Sequence, residues 1–421
     1  MLLNRRIVVG ICGGIASYKA VDLVSKLQQA GALVDVILTG HAEDFVRPLT
    51  FATVSHRPAY TDLWEASGQA AERHIVLAEE AEVLAIVPAT ANTIAKLAHG
   101  IADNMLTAVA LATKAPLVLA PAMYRDMYTH PATQANLALL RERGAHIVEP
   151  AVGHLASGAI GPGRLPETAV LLGAISQALG RTGDLAGRTV VVTAGGTREP
   201  IDPVRYVGNR SSGKMGFALA TEARDRGARV ILISGPVALA APYGVELHAV
   251  ETTLEMREAV RGATLDADVL LMSAAVADFR PAAPAARKLK KEGKAEQGIT
   301  FDAQGGFTLR LARNPDILGE LAAAEASSEA QGTEETRQRR LIRVGFAAET
   351  NDLVSNAQSK LAAKRLDLLV ANDVSRSDSG FGTETNKVLI FHATGGMEDL
   401  PVMPKQGVAA AIWDRIVPLL R

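Results

Sequence analysis

A chain of 421 residues with a formal net charge of −1 and 48% hydrophobic residues is long enough for two or three domains, and it has no charge excess to draw it to nucleic acid or an anionic membrane surface. Its one cysteine, Cys12, excludes an intrachain disulfide and makes a cytoplasmic setting the simple expectation. No apolar run reaches the ~18 residues of a membrane span, and the opening MLLNRRIVVGICGG reads as a strand rather than a signal peptide.

Residues 6–12 (RIVVGIC) are a continuous apolar run that predicts a buried strand, followed by Gly13 and Gly14. Helical spacing of Ala20, Val21, Val24 and Leu27 predicts a helix over 17–30. Residues 33–38 are the next strand, with Thr39 at its end, and 83–87 and 116–119 are further apolar runs between helix-like segments. Strands alternating with helices predict a parallel, doubly wound sheet, which binds ligands at its strand C-termini. The first turn, GICGGIAS, lacks the G-x-G-x-x-G spacing of a nicotinamide dinucleotide site, so a mononucleotide is the expected ligand. Its candidate contacts are three strand-end loops: 13–17 with Gly13, Gly14 and Ser17; 39–45 with Thr39; and 88–93 with Thr90 and Asn92. Around 161–187 the pattern breaks into GPGRLPE, a short helix and RTGDLAG, which divides the chain into domains 1–183 and 184–421.

Residues 189–192 restart the strand pattern. The stretch 193–216, TAGGTREPIDPVRYVGNRSSGKMG, follows as a long Gly-rich polar loop running into a helix over 214–226. These are the parts of an anion site, because free N–H groups at a helix N-terminus favour phosphate. Residues 208–214 spell G-x-x-x-x-G-K, but Met215 stands where a P-loop needs a Ser or Thr hydroxyl for magnesium. A phosphate-handling loop of another kind is expected, with a P-loop-like NTPase as the alternative from a different class. Strands at 229–233, 269–272, 343–346 and 366–370 alternate with helices, one at 254–261 and one carrying Lys360 and Lys364. A basic loop at 285–294 contains Lys288, Lys290 and Lys291; residues 322–340 read as a solvated helix end or mobile insertion; 388–392 with Gly395 and Gly396 suggest an antiparallel edge.

Taken singly, each lysine is a solvated surface residue and Asp278 is an N-cap or turn residue. Taken together, Asn209, Arg210, Lys214, Asp278, Lys288 and the helix opening Asn314-Pro315-Asp316-Ile317 suit a nucleoside triphosphate whose α-phosphate is attacked by a carboxylate. Charge develops on the phosphoryl oxygens in that reaction, and preorganised cations and amides stabilise it. The signatures H-E-x-x-H, C-x-x-C and G-x-S-x-G do not occur. So many polar residues at strand ends also argue against a pure interaction protein.

The second half resembles the phosphopantothenate–cysteine ligase domain of the bacterial bifunctional coenzyme A biosynthesis family. The matching stretches are the 193–216 loop, SAAVADFRP followed by KLKK, ARNPDIL, VGFAAET and LLVANDV, in the family's order. The resemblance implies a CTP-dependent, magnesium-assisted ligation of 4′-phosphopantothenate to cysteine through an acyl-cytidylate. It makes Asn209 the residue that holds the acyl-cytidylate and Lys288 the one needed for activation. It makes Met272, Ser273, Ala274, Asp278, Asn314, Pro315, Asp316, Ile317, Phe346, Lys360 and Lys364 contacts of CTP. Asp278 is then an acceptor for the ribose or a ligand of the metal.

The first half is similar to the flavin-dependent cysteine decarboxylases fused in front of that ligase. The carriers are GGIASYK, RHIVLAEEAEVLAIVPATANTIAKLAHGIADNMLT, APAM and IGPGR. The resemblance implies two Rossmann-like units, the first a flavodoxin/Rossmann-like flavoprotein domain holding FMN. It further implies His74 in the active site, and conversion of 4′-phosphopantothenoylcysteine to 4′-phosphopantetheine by way of a thioaldehyde. Ligase dimers joined by decarboxylase trimers are the implied assembly. Two positions depart from the family. Its P-x-M-N asparagine is Tyr124 and the cysteine of its substrate clamp is Ser157, so these two take the missing roles or the unit is a flavin-binding or oligomerising scaffold. A hydroxyl is a far weaker acid than a thiol of pKa about 8.5, and a tyrosine offers one hydroxyl in place of an amide pair.

Overall fold

The computed structural model describes residues 2–64, 72–155, 158–290, 298–301, 306–331, 340–349, 353–373, 378–380 and 382–420. They form two compact units, Met1–Arg181 and Thr182–Arg421.

The first unit contains β1 (Arg6–Ile11), β2 (Leu33–Leu38), β3 (Ala59–Tyr60), β4 (Val83–Ala89), β5 (Leu117–Pro121) and β6 (His146–Ile147). All pair in parallel, in the order β3-β2-β1-β4-β5-β6. This is the Rossmann order rather than the flavodoxin order, and its direction reverses between β1 and β4. The central strands are buried on both faces, which is why they read as unbroken apolar runs. The helices are α1 (Lys19–Gln29), α2 (Pro48–Ser55), α3 (Arg73–Glu80), α4 (Ala91–His99), α5 (Met105–Ala112), α6 (Arg125–Thr129), α7 (Pro131–Glu142) and α8 (Thr168–Gly180). An antiparallel hairpin of β7 (Ala151–His154) and β8 (Ile160–Arg164) holds the GPGR stretch. The expected 88–93 loop is much shorter than its sequence suggests. Pro88 and Ala89 finish β4, and the Thr90 hydroxyl caps α4 by accepting from the Thr93 N–H at 3.4 Å.

The second unit begins with β9 (Thr189–Ala194), β10 (Arg198–Pro200), β11 (Tyr206–Gly208), β12 (Arg229–Ser234), β13 (Glu246–Ala249) and β14 (Val269–Met272). There follow β15 (Phe279–Pro281), β16 (Ile299–Phe301), β17 (Phe307–Leu309), β18 (Leu311–Arg313), β19 (Ile342–Glu349) and β20 (Leu368–Asp373). The last are β21 (Thr385–Asn386), β22 (Val388–His392), β23 (Met397–Asp399) and β24 (Met403–Pro404). The main sheet runs β13-β12-β9-β14-β19-β20-β22-β23, parallel as far as β20 and antiparallel at the β22/β23 edge. Its helices are α9 (Lys214–Asp225), α10 (Thr253–Ala263), α11 (Ile317–Gln331), α12 (Leu353–Ala363) and α13 (Lys405–Ile416). The helices α9 and α13 pack together over the sheet, where the fully buried Trp413 donates Nε1–H to the Leu219 carbonyl at 3.0 Å.

The 193–216 stretch is not one continuous loop: β10 and β11 form an antiparallel hairpin inside it. Asp202 closes the turn, its carboxylate accepting from the N–H groups of Val204 and Arg205, both at 2.8 Å, and from Arg205 Nε at 3.0 Å. Three-residue strands leave no alternation long enough to read. The small-residue stretch from Ala322 is helical through Gln331, and residues 332–339 lie outside the described set.

Candidate functional site

In the second unit the C-terminal ends of β9, β14, β19 and β20 open onto a cavity of about 1060 Å³. Asn209, Met272, Ser273, Ala274, Asp278, Asn314, Pro315, Asp316, Ile317, Phe346, Lys360 and Lys364 line it, together with Arg210 and Lys214. Lys288 does not. It is exposed, next to Leu289, whose N–H donates to Asp202 at 3.1 Å and whose carbonyl accepts from Arg205 at 3.0 Å, so it sits by the β10/β11 turn.

The cavity is built around the start of α9. Gly213, in the left-handed region at φ 77°, turns the chain into the helix, and neither a side-chain cap nor an acidic residue occupies its first turn. The leading N–H groups are left for a ligand, at the positive end of the helix dipole. Gly216 allows α9 to press against the sheet: a Cβ there would lie 2.6 Å from Ala194 Cβ, 2.7 Å from Ser273 Oγ and 2.8 Å from the Thr193 carbonyl oxygen. Ser273 Oγ donates to that carbonyl at 2.7 Å, and Thr193 Oγ1 accepts from the Ala274 N–H at 3.1 Å. Asn209 Nδ2 donates to the carbonyls of Ala275 at 3.1 Å and Val276 at 3.2 Å, tying the loop before α9 to the one after β14.

The carboxylates and cations are unevenly engaged. Lys214 pairs with Glu384 at 2.5 Å and holds that carboxyl below its ordinary range. Lys364 pairs with Asp316 at 3.0 Å, while Asp316 also caps α11 through the Gly319 N–H at 3.1 Å. Exposed pairs of this kind contribute little to stability. Asn314 is 8% exposed and committed to the protein. Its Nδ2 donates to the Ala277 carbonyl at 2.8 Å and to Thr253 at 3.1 Å, and its Oδ1 accepts from Arg280 at 2.8 Å. It shapes the wall of the cavity. Asp278 is exposed, with its backbone carbonyl accepting from the Asn314 N–H at 2.8 Å. Among the described residues no group of three or more His, Cys, Asp or Glu side chains could hold a metal ion.

Sequence reading missed Asn372, Asn386 and Lys405, which also line the cavity. Asn372 Nδ2 donates to Asn386 Oδ1 at 3.1 Å, and Asn386 Nδ2 reaches Met215 Sδ at 3.8 Å. The sulfur at the failed P-loop position therefore faces a structural amide. Asn372, at the end of the LLVAN run, carried the strand-end signal; Lys405 carried none.

In the first unit, Gly13, Gly14, Ser17, Thr39, Thr90 and Asn92 fall at the ends of β1, β2 and β4, beside the β1/β4 switch point. Ser17 is fully buried and its hydroxyl lies 2.8 Å from the Cys12 carbonyl oxygen and 2.6 Å from that of Gly14. Thr39 Oγ1 donates to the Ile11 carbonyl at 3.3 Å, and Asn92 is exposed. A Cβ on Gly13 would lie 2.6 Å from the His41 backbone oxygen, so glycine lets the first two loops meet. Cys12 is 1% exposed, with Sγ 3.2 Å from Thr93 Oγ1, and burial pushes its thiol up. It offers no replacement for a missing clamp cysteine. His74 lies in the first turn of α3, with a buried Nδ1 that has no hydrogen-bond partner among the described residues. Tyr124 stands at the N-cap of α6 and is 41% exposed. The APAM and GPGR stretches meet there, the Met123 N–H donating to the Gly163 carbonyl at 3.1 Å. Ser157 lies outside the described residues.

Comparison with known proteins accounts for both units. The flavoprotein family model matches residues 1–180, and the model of the DNA/pantothenate metabolism flavoprotein C-terminal domain matches residues 185–419. The coenzyme A biosynthesis bifunctional protein CoaBC of Bacillus subtilis is 46% identical over 422 residues, covering 100% of this chain and 98% of that protein. The chain belongs to the CoaBC family. The CoaBC protein of Escherichia coli K12 is 40% identical over 416 residues, covering 99% of this chain and 97% of that one. A crystal structure of a CoaBC C-terminal domain is 34% identical, covering 56% of this chain and 98% of that one with a TM-score of 0.44. The chain is accordingly a phosphopantothenate–cysteine ligase of coenzyme A biosynthesis, its ligase domain standing behind a domain of the flavoprotein decarboxylase kind. Among the described residues, no helix is long and apolar enough to cross a membrane.

Proposed function

We propose that the second unit uses CTP to join 4′-phosphopantothenate to cysteine, and that the first unit, with FMN, decarboxylates the 4′-phosphopantothenoylcysteine so formed. The observation that carries the ligase half is the convergence of Asn209, Lys214, Asp278, Lys360 and Lys364 on one cavity beside the open start of α9. A carboxylate oxygen of 4′-phosphopantothenate bonds to the α-phosphorus as the α–β bridging bond breaks and pyrophosphate leaves. The cysteine amine then forms the amide bond and CMP departs. Lys214, Lys360, Lys364 and the α9 N–H groups neutralise the charge that develops on the phosphoryl oxygens. Asn209, fixed by Ala275 and Val276, holds the acyl-cytidylate. Met272, Ser273, Ala274, Pro315, Ile317 and Phe346 form the walls around the nucleotide, and Asn314 and Asp316 fix the α11 start. Magnesium would be held chiefly by triphosphate oxygens and water, with Asp278 as the protein carboxylate. The preference for CTP rests on kinship with the family. Lys288, needed for activation on the same kinship, would have to be delivered to the cavity from beside the β10/β11 turn.

In the first unit, the Gly13–His41 contact, the buried Ser17 and the neighbouring Thr39, Thr90 and Asn92 fit a flavin mononucleotide at the switch point, and the orphaned His74 Nδ1 fits a site that a ligand completes. FMN would supply the two-electron oxidation of the cysteinyl thiol and the return of those electrons. The Tyr124 hydroxyl holds the substrate carboxylate in place of the family's asparagine, Ser157 stands in for the proton-donating cysteine, and His74 orients the substrate. The exposed side chains of Val204, Tyr206, Phe279 and Leu311, on two small antiparallel pairings that touch one another, support a homo-oligomer built on ligase dimers, and trimers through the first units follow from kinship alone. A buried lone cysteine supports a cytoplasmic setting.

The test supplies the purified protein with 4′-phosphopantothenate, cysteine, CTP and magnesium and follows products by mass. CMP with 4′-phosphopantothenoylcysteine, then 4′-phosphopantetheine, is the expected series. Ligation without 4′-phosphopantetheine would leave the first unit as a scaffold. Nucleotide hydrolysis without the other substrates would favour an NTPase.

A further inference from the structure

We propose that Lys405 is a positioning residue of the ligase cavity: its ammonium group folds the segment carrying Gly380 and residues 382–385 into the shape that holds Lys214 beside the open start of α9. This rests on the reading of the cavity as the nucleotide site.

Lys405 is 6% exposed and opens α13, where both burial and the helix dipole disfavour a cation. Its placement is stabilised by one set of partners. The ammonium donates to the carbonyls of Gly380 at 2.9 Å, Thr383 at 2.8 Å and Thr385 at 3.0 Å, with Thr383 Oγ1 at 3.3 Å. A lysine has three hydrogens to give, and three carbonyls of one segment take them. The Lys405 backbone N–H donates to the Glu384 carbonyl at 3.0 Å, so both ends of the residue grip the same segment. That segment in turn presents the Gly382 carbonyl at 2.9 Å and the Glu384 carboxylate at 2.5 Å to Lys214. Contacts thus run from Lys405 through the segment to the first residue of α9. Without the ammonium, three carbonyls lose a donor and the Lys214 partners lose their frame.

The charged groups facing Lys405 are Lys214 from α9 and Glu384 from the gripped segment. Burial and then the Lys214 charge bring its ammonium down to about 8, against a smaller upward pull from Glu384. Below that pH all three carbonyls are served; above it one loses its donor.

The experiment is equilibrium binding of CTP with magnesium, without cysteine, to the full-length protein between about pH 7 and pH 9.5, with the Lys405 variants as the reference for any titration of the ligand itself. In the natural protein Kd should rise about tenfold with a midpoint near pH 8. In Lys405→Met and Lys405→Gln, Kd should be about tenfold higher at pH 7 and show no midpoint. A flat profile in the natural protein, a midpoint that persists in the variants, or variants that bind as tightly at pH 7 would each overturn the role of Lys405 while leaving the nucleotide site standing. If a variant fails to fold, the natural protein's profile still decides. Failure of the natural protein to bind CTP at any pH would overturn the nucleotide reading and this inference with it.

Discussion

Replacing Gly216 with alanine tests whether the position of α9 determines ligase activity. The added Cβ would sit 2.6 Å from Ala194 Cβ, 2.7 Å from Ser273 Oγ and 2.8 Å from the Thr193 carbonyl oxygen. Comfortable contacts begin at roughly 3.5 Å, so the helix must retreat by roughly 0.7–1 Å. Two of the three obstacles belong to the end of β9 and the third to the loop after β14, none of them the far end of a flexible side chain. Overpacking of this kind costs about 1–3 kcal/mol. In a unit of this size each kcal/mol lowers Tm by about 2–4 °C. The retreat also draws the α9 N–H groups and Lys214 away from the phosphates, and a misplacement near 1 Å costs on the order of 100-fold in a positioned reaction. We therefore expect Gly216→Ala to lower kcat/KM for ligation by about 10–100-fold, with a reduced Tm. Gly262, in α10, has open space where a Cβ would stand, with nothing within 4 Å, and serves as control. Gly262→Ala should stabilise by about 0.5 kcal/mol with unchanged kinetics. If the two variants behave alike in both melting and ligation, the argument from helix placement fails.

Asn209→Ala removes the donors to Ala275 and Val276 and the amide assigned to the acyl-cytidylate, so ligation should fall about 100-fold. The ratio of CMP to amide product should rise above one as intermediate escapes, and a ratio that stays at one contradicts the assignment. In the first unit, His74→Ala should abolish 4′-phosphopantetheine formation while leaving the ligation rate intact; loss of both would show that its effect is not local. Tyr124→Asn combined with Ser157→Cys should raise the decarboxylation rate by about tenfold or more, because a thiol near pKa 8.5 replaces a hydroxyl as proton donor. No gain would mean that these positions do not limit the reaction.

How much of this was legible in the sequence follows from where each signal is stored. The parallel sheets showed because β1, β4, β9 and β14 are buried on both faces and read as unbroken apolar runs. The antiparallel pairings β10/β11 and β15/β18 did not, since three residues cannot display a period. The strand-end polar residues of the ligase half converge because a doubly wound sheet brings all its C-termini to one edge. The roles within that set were less legible. Asn314 and Asp316 read as ligand contacts in sequence and do line the cavity, but the bonds by which Asn314 ties its loop to the one after β14 and Asp316 caps α11 show only in the folded chain. Lys405 was invisible because its meaning lies in three carbonyls contributed by a segment 20–25 residues earlier in the chain. Lys288, which the family resemblance singles out, sits by the β10/β11 turn rather than in the cavity lining.

The central claim is that a substrate carboxylate attacks the α-phosphorus of CTP in the second unit. The most direct test is ligation of 4′-phosphopantothenate labelled with oxygen-18 in its carboxylate, with mass analysis of the released nucleotide and phosphates. Label in CMP, one atom for each amide bond formed, is the predicted result. Label in inorganic phosphate, with CDP as the nucleotide product, would mean an acyl phosphate formed at the γ-phosphorus and would contradict the account.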